Sequence, residues 1–160
     1  MLPMNEFHIF EINQPKMQRL ISLYIALLFL SCGANPIPRY ATKKLTGAWV
    51  PVKQELGGNS ISKQFFSKQT LTIRDTLYSI EAENDIEDLQ LDEGSIYIKK
   101  NKIDLYGKKG KNKGKHITGI FKIEKNQLII CYNLGGIGFP ESFETIGKPL
   151  YFMSTYEYKH

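Results

Sequence analysis

Cysteine, histidine and long apolar runs are scarce in this chain, and each scarcity excludes a class of protein. Two cysteines among 160 residues allow at most one disulfide, so the chain is not a small disulfide-rich scaffold. Of the three histidines, only His116 and His160 follow residue 32, and a zinc site of ordinary composition needs more clustered ligands. We therefore expect no metal and no other cofactor.

The one pronounced apolar run covers residues 20–30. As a helix it would span about 16 Å at ~1.5 Å per residue, roughly half of the ~30 Å hydrocarbon core of a bilayer. Arg19 supplies a positive charge just before the run, and Ser31, Cys32 and Gly33 end it. A basic start, a short apolar centre and small residues at the end are typical of a signal peptide and not of a transmembrane anchor.

Residues 29–32, Phe-Leu-Ser-Cys, resemble the lipobox of bacterial lipoproteins. The resemblance implies that Cys32 is acylated, with diacylglycerol and palmitate, and becomes the mature N-terminus; Phe29 stands where an aliphatic residue is usual. Two or more acyl chains give stable membrane anchoring because each buried methylene contributes ~0.8 kcal/mol. In such lipoproteins an Asp directly after the cysteine favours retention in the inner membrane. Here Gly33 occupies that position, so the resemblance implies a lipid-anchored protein of the Gram-negative outer membrane. The alternative is a cysteine that ends an ordinary signal peptide.

These signals divide the chain into four parts. Residues 1–16 carry more acids than bases and two prolines, so we interpret them as an over-extended start ahead of Met17. Residues 17–31 are the predicted signal peptide, expected to form an N-terminal signal helix, and residues 32–44, with two further prolines, are the predicted tether. Residues 45–160 are enough for one domain with a sizeable core.

The net charge of +5 hides two oppositely charged segments. Residues 81–93 contain seven acids and no base, whereas residues 99–115 contain eight lysines against Asp104. We expect these segments to face each other in solvent, which weakens any electrostatic footprint for nucleic acid. In the loop 107–115, no aromatic residue alternates with the lysines, so stacking platforms for bases are missing. We therefore expect no nucleic-acid partner.

Beyond residue 45 the chain consists of short alternating or apolar runs separated by turn residues. Lys100-Asn101 and Lys125-Asn126 are typical two-residue hairpin turns. The pattern predicts an all-β antiparallel meander, and about eight such strands can remove their edges by closing into an up-and-down barrel. A β-sandwich is the alternative, and a short helix over residues 59–68 is expected to cover one end. The predicted strands are residues 47–54, 69–75, 77–82, 95–99, 102–106, 116–124, 127–132 and 150–158.

Two blocks of sequence resemble a known family. Residues 45–52, Leu-Thr-Gly-Ala-Trp-Val-Pro-Val, are similar to the Leu-x-Gly-x-Trp opening of lipocalins. Residues 119–131 resemble the pattern Gly-Ile-Tyr-x-Leu-x-Gly-Asp-x-Leu-x-x-Cys of a planctomycete-type lipocalin-like family of uncharacterised function, and residues 139–143, Phe-Pro-Glu-Ser-Phe, correspond to its Arg-Pro-x-x-Phe. The resemblance implies a lipocalin-like barrel in which Gly47 and Trp49 close one end, with Lys159 as the nearest base.

We expect the domain to bind a small hydrophobic or amphipathic ligand inside the barrel, although the same side chains can also fill the interior completely. If the barrel is filled, the alternative is an interaction or inhibitor module that contacts an envelope protein through the loops 108–115 and 134–139. The candidate residues of the core or ligand site are Trp49, Leu71, Ile73, Tyr78, Tyr97, Phe121, Ile123, Leu128, Ile130, Phe143 and Phe152.

Candidate catalytic residues do not form a recognisable set. Ser142 has no evident His and Asp partners, and Glu141 and Glu144 do not meet the requirements of a carboxylate pair. Cys131 lies in an apolar run, which indicates a buried structural thiol and not a nucleophile. We therefore expect a protein that is not an enzyme.

Overall fold

The computed structural model describes residues 43–82 and 90–160. The expectations for the start, the signal helix, Cys32 and all but the end of the tether fall outside the described residues, as does the acidic stretch 83–89. The described chain contains single 3₁₀ turns at Lys63–Phe65 and Gly110–Asn112. Its strands are β1 Gly47–Leu56, β2 Asn59–Ser60, β3 Gln69–Arg74, β4 Leu77–Ala82, β5 Gln90–Lys99, β6 Lys102–Lys109, β7 His116–Glu124, β8 Gln127–Asn133 and β9 Tyr151–Tyr158.

The strands form one closed antiparallel barrel. From β3 to β9 each strand pairs with the next in chain order, and β1 pairs with β3 on one side and β9 on the other. Eight long strands therefore close the ring, while the two-residue β2 only extends the end of β1. Closure pairs the backbone groups that an edge strand would expose. The predicted all-β up-and-down barrel of eight strands is confirmed, and the sandwich is not the fold.

The two ends of the barrel differ in their connections. At one end, called here the closed end, the hairpins β3–β4, β5–β6 and β7–β8 turn in two residues each. At the other end, called the mouth, β4 ends and β5 begins, and three longer connections among the described residues cover 57–68, 110–115 and 134–150. The tight turns need left-handed backbone, and the non-glycine residues that adopt positive φ there are Asp75, Lys100, Lys125 and Asn126.

The helix expected over residues 59–68 is wrong. Asn59 and Ser60 fold back to pair with Leu56 and Glu55, and the Ile61 N–H donates to the Gln54 carbonyl at 2.9 Å. Because β1 takes these backbone groups, they are not free for the hydrogen bonds of a helix, and only the single turn Lys63–Phe65 remains helical.

The core lies inside the barrel, where alternate residues of each strand meet. Three residues expected there are not part of it, and one of them, Ile123, is 44% exposed at the closed end. Tyr97 is 44% exposed because its neighbours Ile96 and Ile98 point inward and the pleat turns Tyr97 to the outer face. Phe143 belongs to the connection 134–150, where the Lys122 ammonium lies 5.0 Å from its ring centre. The buried core residues are Leu45, Trp49, Leu71, Ile73, Tyr78, Ile96, Ile98, Ile103, Leu105, Ile117, Leu128, Ile130, Tyr132 and Tyr156, with Phe121 and Phe152 half-buried against them.

The connection 134–150 has no strand or helix of its own and is held by side-chain hydrogen bonds. Thr145 is fully buried. Its hydroxyl accepts a hydrogen bond from the Gly58 N–H at 3.0 Å and donates one to the Glu55 carboxylate. The Asn133 amide donates to the Ile137 carbonyl at 2.8 Å. These bonds provide the order that a long connection of irregular backbone otherwise lacks.

Trp49 is buried at the closed end. Its indole N–H donates to the Leu45 carbonyl at 2.9 Å, and its ring meets the Tyr158 ring edge-on at 5.2 Å. In the described part of the chain, none of the contacts between a cation and an aromatic ring involves Trp49, and the ring that contacts it is that of Tyr158. Gly47 has φ +134°, and a β-carbon there would come 2.4 Å from Tyr158 Cε2.

We predict that Gly47→Ala lowers the free energy of unfolding by about 3 kcal/mol, the upper end of what strained backbone costs, because it adds a clash with Tyr158 to an unfavourable φ. Gly147→Ala is the matched control: Gly147 also has positive φ but no atom near its absent β-carbon, and its replacement should cost only about 1 kcal/mol. Urea unfolding followed by tryptophan fluorescence measures both. Equal losses would contradict the role assigned to the Gly47–Tyr158 contact.

Candidate functional site

The half of the barrel interior next to the mouth is hollow. A cavity of about 750 Å³ opens there to solvent, within the size range of small-molecule sites. The half next to the closed end is packed, and the void among Ile73, Ile96, Ile103 and their neighbours measures only about 10 Å³. The apolar residues that line the cavity are Pro51, Leu56, Ile61, Leu71, Ile80, Ala82, Leu134 and Phe152.

The hollow half exists because of the residue types on the inner faces of the strands near the mouth. Ala82 ends β4 with a small side chain, and Pro51 and Gln54 occupy the inner face of β1 on either side of a bulge. Proline has no N–H to donate, so it fits where the β1–β9 ladder is interrupted between Pro51 and Lys53. Small or polar side chains at these positions leave the interior empty, whereas isoleucines at the inner positions of the packed half fill it.

A few polar groups lie among the apolar walls. Gln54 is buried, and its amide donates to Gln69 Oε1 at 3.2 Å; the Gln69 amide in turn donates to the Phe65 carbonyl at 3.3 Å. Deeper in the cavity, the Tyr156 hydroxyl lies 3.3 Å from that of Tyr132. Burial in the apolar interior raises the pKa of both phenols, which keeps them protonated at neutral pH.

The segment Gly110–Asn112 lies across one side of the mouth. Asp92, on the inner face of β5, accepts a hydrogen bond from the Asn112 N–H at 3.2 Å and a second from its side-chain amide. Lys111 and Lys115 line the same rim of the cavity, and Lys109 pairs with Glu93. The lysine-rich loop is therefore fastened to the barrel wall, and it brings positive charge to the entrance.

The structure separates the expected ligand residues into different regions. Leu71 lines the cavity, and Phe152 lies at its wall. Ile73, Tyr78 and Ile130 surround the small void, while the Leu128 side chain is fully buried in the packed core. Gly47 and Trp49 lie at the closed end, Ile123 beside them is 44% exposed, and Phe121 packs half-buried against the core.

Sequence reasoning missed the polar residues of the cavity. Gln54, Asp92 and Asn112 are ordinary strand or loop residues, and no motif marks them. The one available signal was strand alternation, which places Asp92 on the same face as Ile96 and Ile98. Gln54 falls in the same alternation as Val50 and Val52 in the sequence, and the bulge in β1 turns it inward. A polar residue at an inward position indicates either a hydrogen-bonded partner or a site.

The arrangement is suited to binding. An apolar cavity with a few convergent polar groups retains a ligand by burial of apolar surface and orients it by hydrogen bonds. In residues 43–82 and 90–160, no three His, Cys, Asp or Glu side chains group in a way that could hold a metal ion. Nor do those ranges contain a helix long and apolar enough to cross a bilayer.

No protein-family model and no curated protein matches the chain. The class of protein is therefore defined by its fold and cavity: a closed antiparallel eight-stranded barrel with a hollow, solvent-connected half.

Cys131 lies outside the cavity, on the outer face of β8, and is a free thiol with no exposed surface. Burial is the main cause that raises its pKa from 9.0 to about 11; Lys148 acts weakly in the opposite direction and Glu55 in the same direction. The thiolate, which is the nucleophilic form, is therefore disfavoured at neutral pH.

We predict that iodoacetamide at pH 8 alkylates Cys131 at least 100-fold more slowly in the folded protein than in urea, since a rise from 9.0 to about 11 leaves on the order of 100-fold less thiolate. Mass spectrometry of the peptide that contains Cys131 measures the two rates. Similar rates would contradict the burial of the thiol and the rise of its pKa.

Proposed function

We propose that the protein is a lipid-anchored cell-envelope lipoprotein whose lipocalin-like barrel binds a small hydrophobic or amphipathic ligand and catalyses no reaction. The observation that carries the proposal is the cavity of about 750 Å³, which is apolar on most of its wall and opens to solvent at the mouth of the barrel. A protein that uses only its outer surface needs no such space, because filling it with larger side chains would stabilise the fold.

The distribution of the connections supports the same function. The short hairpins lie at the closed end, whereas the longer connections surround the mouth. Binding residues commonly lie on loops that a rigid scaffold positions. Here the packed half supplies the rigid scaffold, and the fastened segment Gly110–Asn112 narrows the entrance.

The anchor is supported by the sequence. Residues 20–30 end in Ser31-Cys32-Gly33, and acylation of that cysteine would attach the chain to the membrane. β1, which follows the predicted tether in the chain, begins at the closed end. An anchored binder of this kind retains access to its ligand while it stays attached to the envelope, and Gly33 favours the outer membrane.

A second candidate is the interaction or inhibitor module that contacts an envelope protein. The observation in its favour is exposed apolar surface on the connection 134–150, where Ile137 is 89% and Ile146 71% exposed. Exposed apolar groups of this kind mark contact sites when they are contiguous. The hollow interior favours the ligand-binding function over this one.

We predict that Ala82→Trp weakens binding of the fluorescent apolar probe phenylnaphthylamine at least tenfold, because the indole fills the cavity that Ala82 lines. Ala48→Trp is the matched control: Ala48 neighbours Trp49 on β1 and lies on the outer face, so its replacement should leave the affinity unchanged. Fluorescence titration of the full-length protein measures both. Equal affinities in both variants and the unmodified chain would contradict binding in the cavity.

We predict that Cys32→Ser abolishes incorporation of radiolabelled palmitate and releases the protein from the membrane fraction of a Gram-negative host. Cys131→Ser, which removes the other cysteine of the chain, should leave both properties unchanged. Membrane retention of the Cys32→Ser protein without label would show that the apolar run anchors the chain by itself.

A further inference from the structure

A group of hydroxyls lies at the inner end of the cavity, in an interior that is otherwise apolar. Tyr132 and Tyr156 are buried with their hydroxyl oxygens 3.3 Å apart, and fully buried Ser154 adds a hydroxyl beside Tyr156. Tyr78 points into the same region, where it and Tyr132 border the void of about 10 Å³. Leu71 and Ile80 line both this void and the cavity, so the two spaces adjoin.

The Tyr78 hydroxyl is buried and has no hydrogen-bond partner among the described residues. The residue itself is only 3% exposed. A buried hydroxyl without a partner destabilises a fold, and native structures avoid most such cases. Phenylalanine would fill the same space without burying an unpaired hydroxyl, so packing alone does not explain the hydroxyl of Tyr78.

The position of the Tyr78 ring is built into the barrel. A β-carbon at Gly94, on the neighbouring strand β5, would come 2.7 Å from Cε1 of Tyr78 and 2.1 Å from the Tyr106 carbonyl oxygen. The absence of a side chain at Gly94 therefore gives the ring its space. The Tyr78 ring packs against the backbone of β5 at Gly94.

The charges around these hydroxyls define the ligand group they can take. The buried polar residues of the described chain include no charged side chain. Burial, with a smaller contribution from the Asp92 carboxylate, raises the pKa of Tyr78 to about 12, so the phenol stays a neutral donor. An anionic group would meet Asp92 and no cation at this depth, and it would lose its hydration without compensation.

We propose that the cavity takes a neutral amphiphile whose uncharged oxygen, such as that of a ketone, ester or amide, lies at the inner end and accepts a hydrogen bond from Tyr78, with Tyr156 beside it. The rest of the ligand lies against the apolar wall toward the mouth. This inference rests on the proposed function, because it names the ligand class of the same cavity.

Three probes of nearly equal shape test it: acetylnaphthalene with a carbonyl, isopropylnaphthalene as its apolar isostere, and naphthoate as an anion. Calorimetric titration of the full-length protein gives three dissociation constants. We expect acetylnaphthalene to bind more tightly than naphthoate. In Tyr78→Phe, the dissociation constant of acetylnaphthalene divided by that of isopropylnaphthalene should rise about tenfold, because the carbonyl loses its hydrogen-bond donor. Tyr156→Phe should change this ratio in the same direction.

The control is Tyr97→Phe, which removes a phenol hydroxyl from the outer face of β5 and should leave the ratio unchanged. Because the Tyr78 hydroxyl has no described partner, Tyr78→Phe should unfold at the same temperature as the unmodified protein or higher. A ratio that is the same in Tyr78→Phe and Tyr156→Phe as in the unmodified protein overturns this inference alone. Tighter binding of naphthoate than of acetylnaphthalene overturns it and indicates that the ligand group is an anion held by Lys111 and Lys115 at the mouth. Failure of all three probes and of phenylnaphthylamine to bind overturns the proposed function as well.

Discussion

Seven residue pairs join β1 to β9, from Trp49 opposite Tyr158 to Leu56 opposite Phe152, and convert an open meander into a closed barrel. Without them the first and last long strands would be unpaired edges. The same pairing brings Trp49 against Tyr158 at the closed end and places Gln54 opposite Ser154 in the interior. The ring contact at the closed end, the shape of the cavity and the position of its polar groups all depend on this ladder and on its single bulge.

The packed core and the cavity occupy different halves of the interior. Isoleucine and leucine side chains pack the closed half almost without voids, and tight turns join its strands. The other half lacks side chains large enough to fill it and is surrounded by longer connections. The hollow half lacks the stabilisation that burial of larger side chains would supply. The buried hydroxyls at its boundary with the packed half lower the stability of the fold further. Both losses are understandable if a ligand supplies the missing contacts.

Much of the barrel could be predicted because strand alternation and turn residues are local signals. The turns at Lys100-Asn101 and Lys125-Asn126 fixed two hairpins, and the strands 77–82 and 116–124 have the expected bounds. The aromatic character of Tyr97 favours the core, but its alternation with buried Ile96 and Ile98 turns it outward. The helix expected over residues 59–68 is wrong because pairing with β1 is a contact between segments that no local pattern reveals.

The cavity itself could not be predicted, since the same alternation describes a filled and a hollow barrel. Whether inward side chains meet depends on how eight strands are arranged in space. The candidate list therefore mixed residues of the cavity, such as Leu71, with residues of the packed half, such as Ile73. The polar members, Gln54 and Asp92, were missed because composition and motifs direct attention to apolar and aromatic residues.

The most direct test of the account is an isoleucine-methyl NMR spectrum of the full-length protein titrated with phenylnaphthylamine. Ile61 and Ile80 line the cavity, Ile73 and Ile103 lie in the packed half, and Ile137 and Ile146 are on the outer connection. The account predicts large shifts for the first pair and small shifts for the others. Shifts confined to Ile137 and Ile146 would contradict it and place binding on the outer surface.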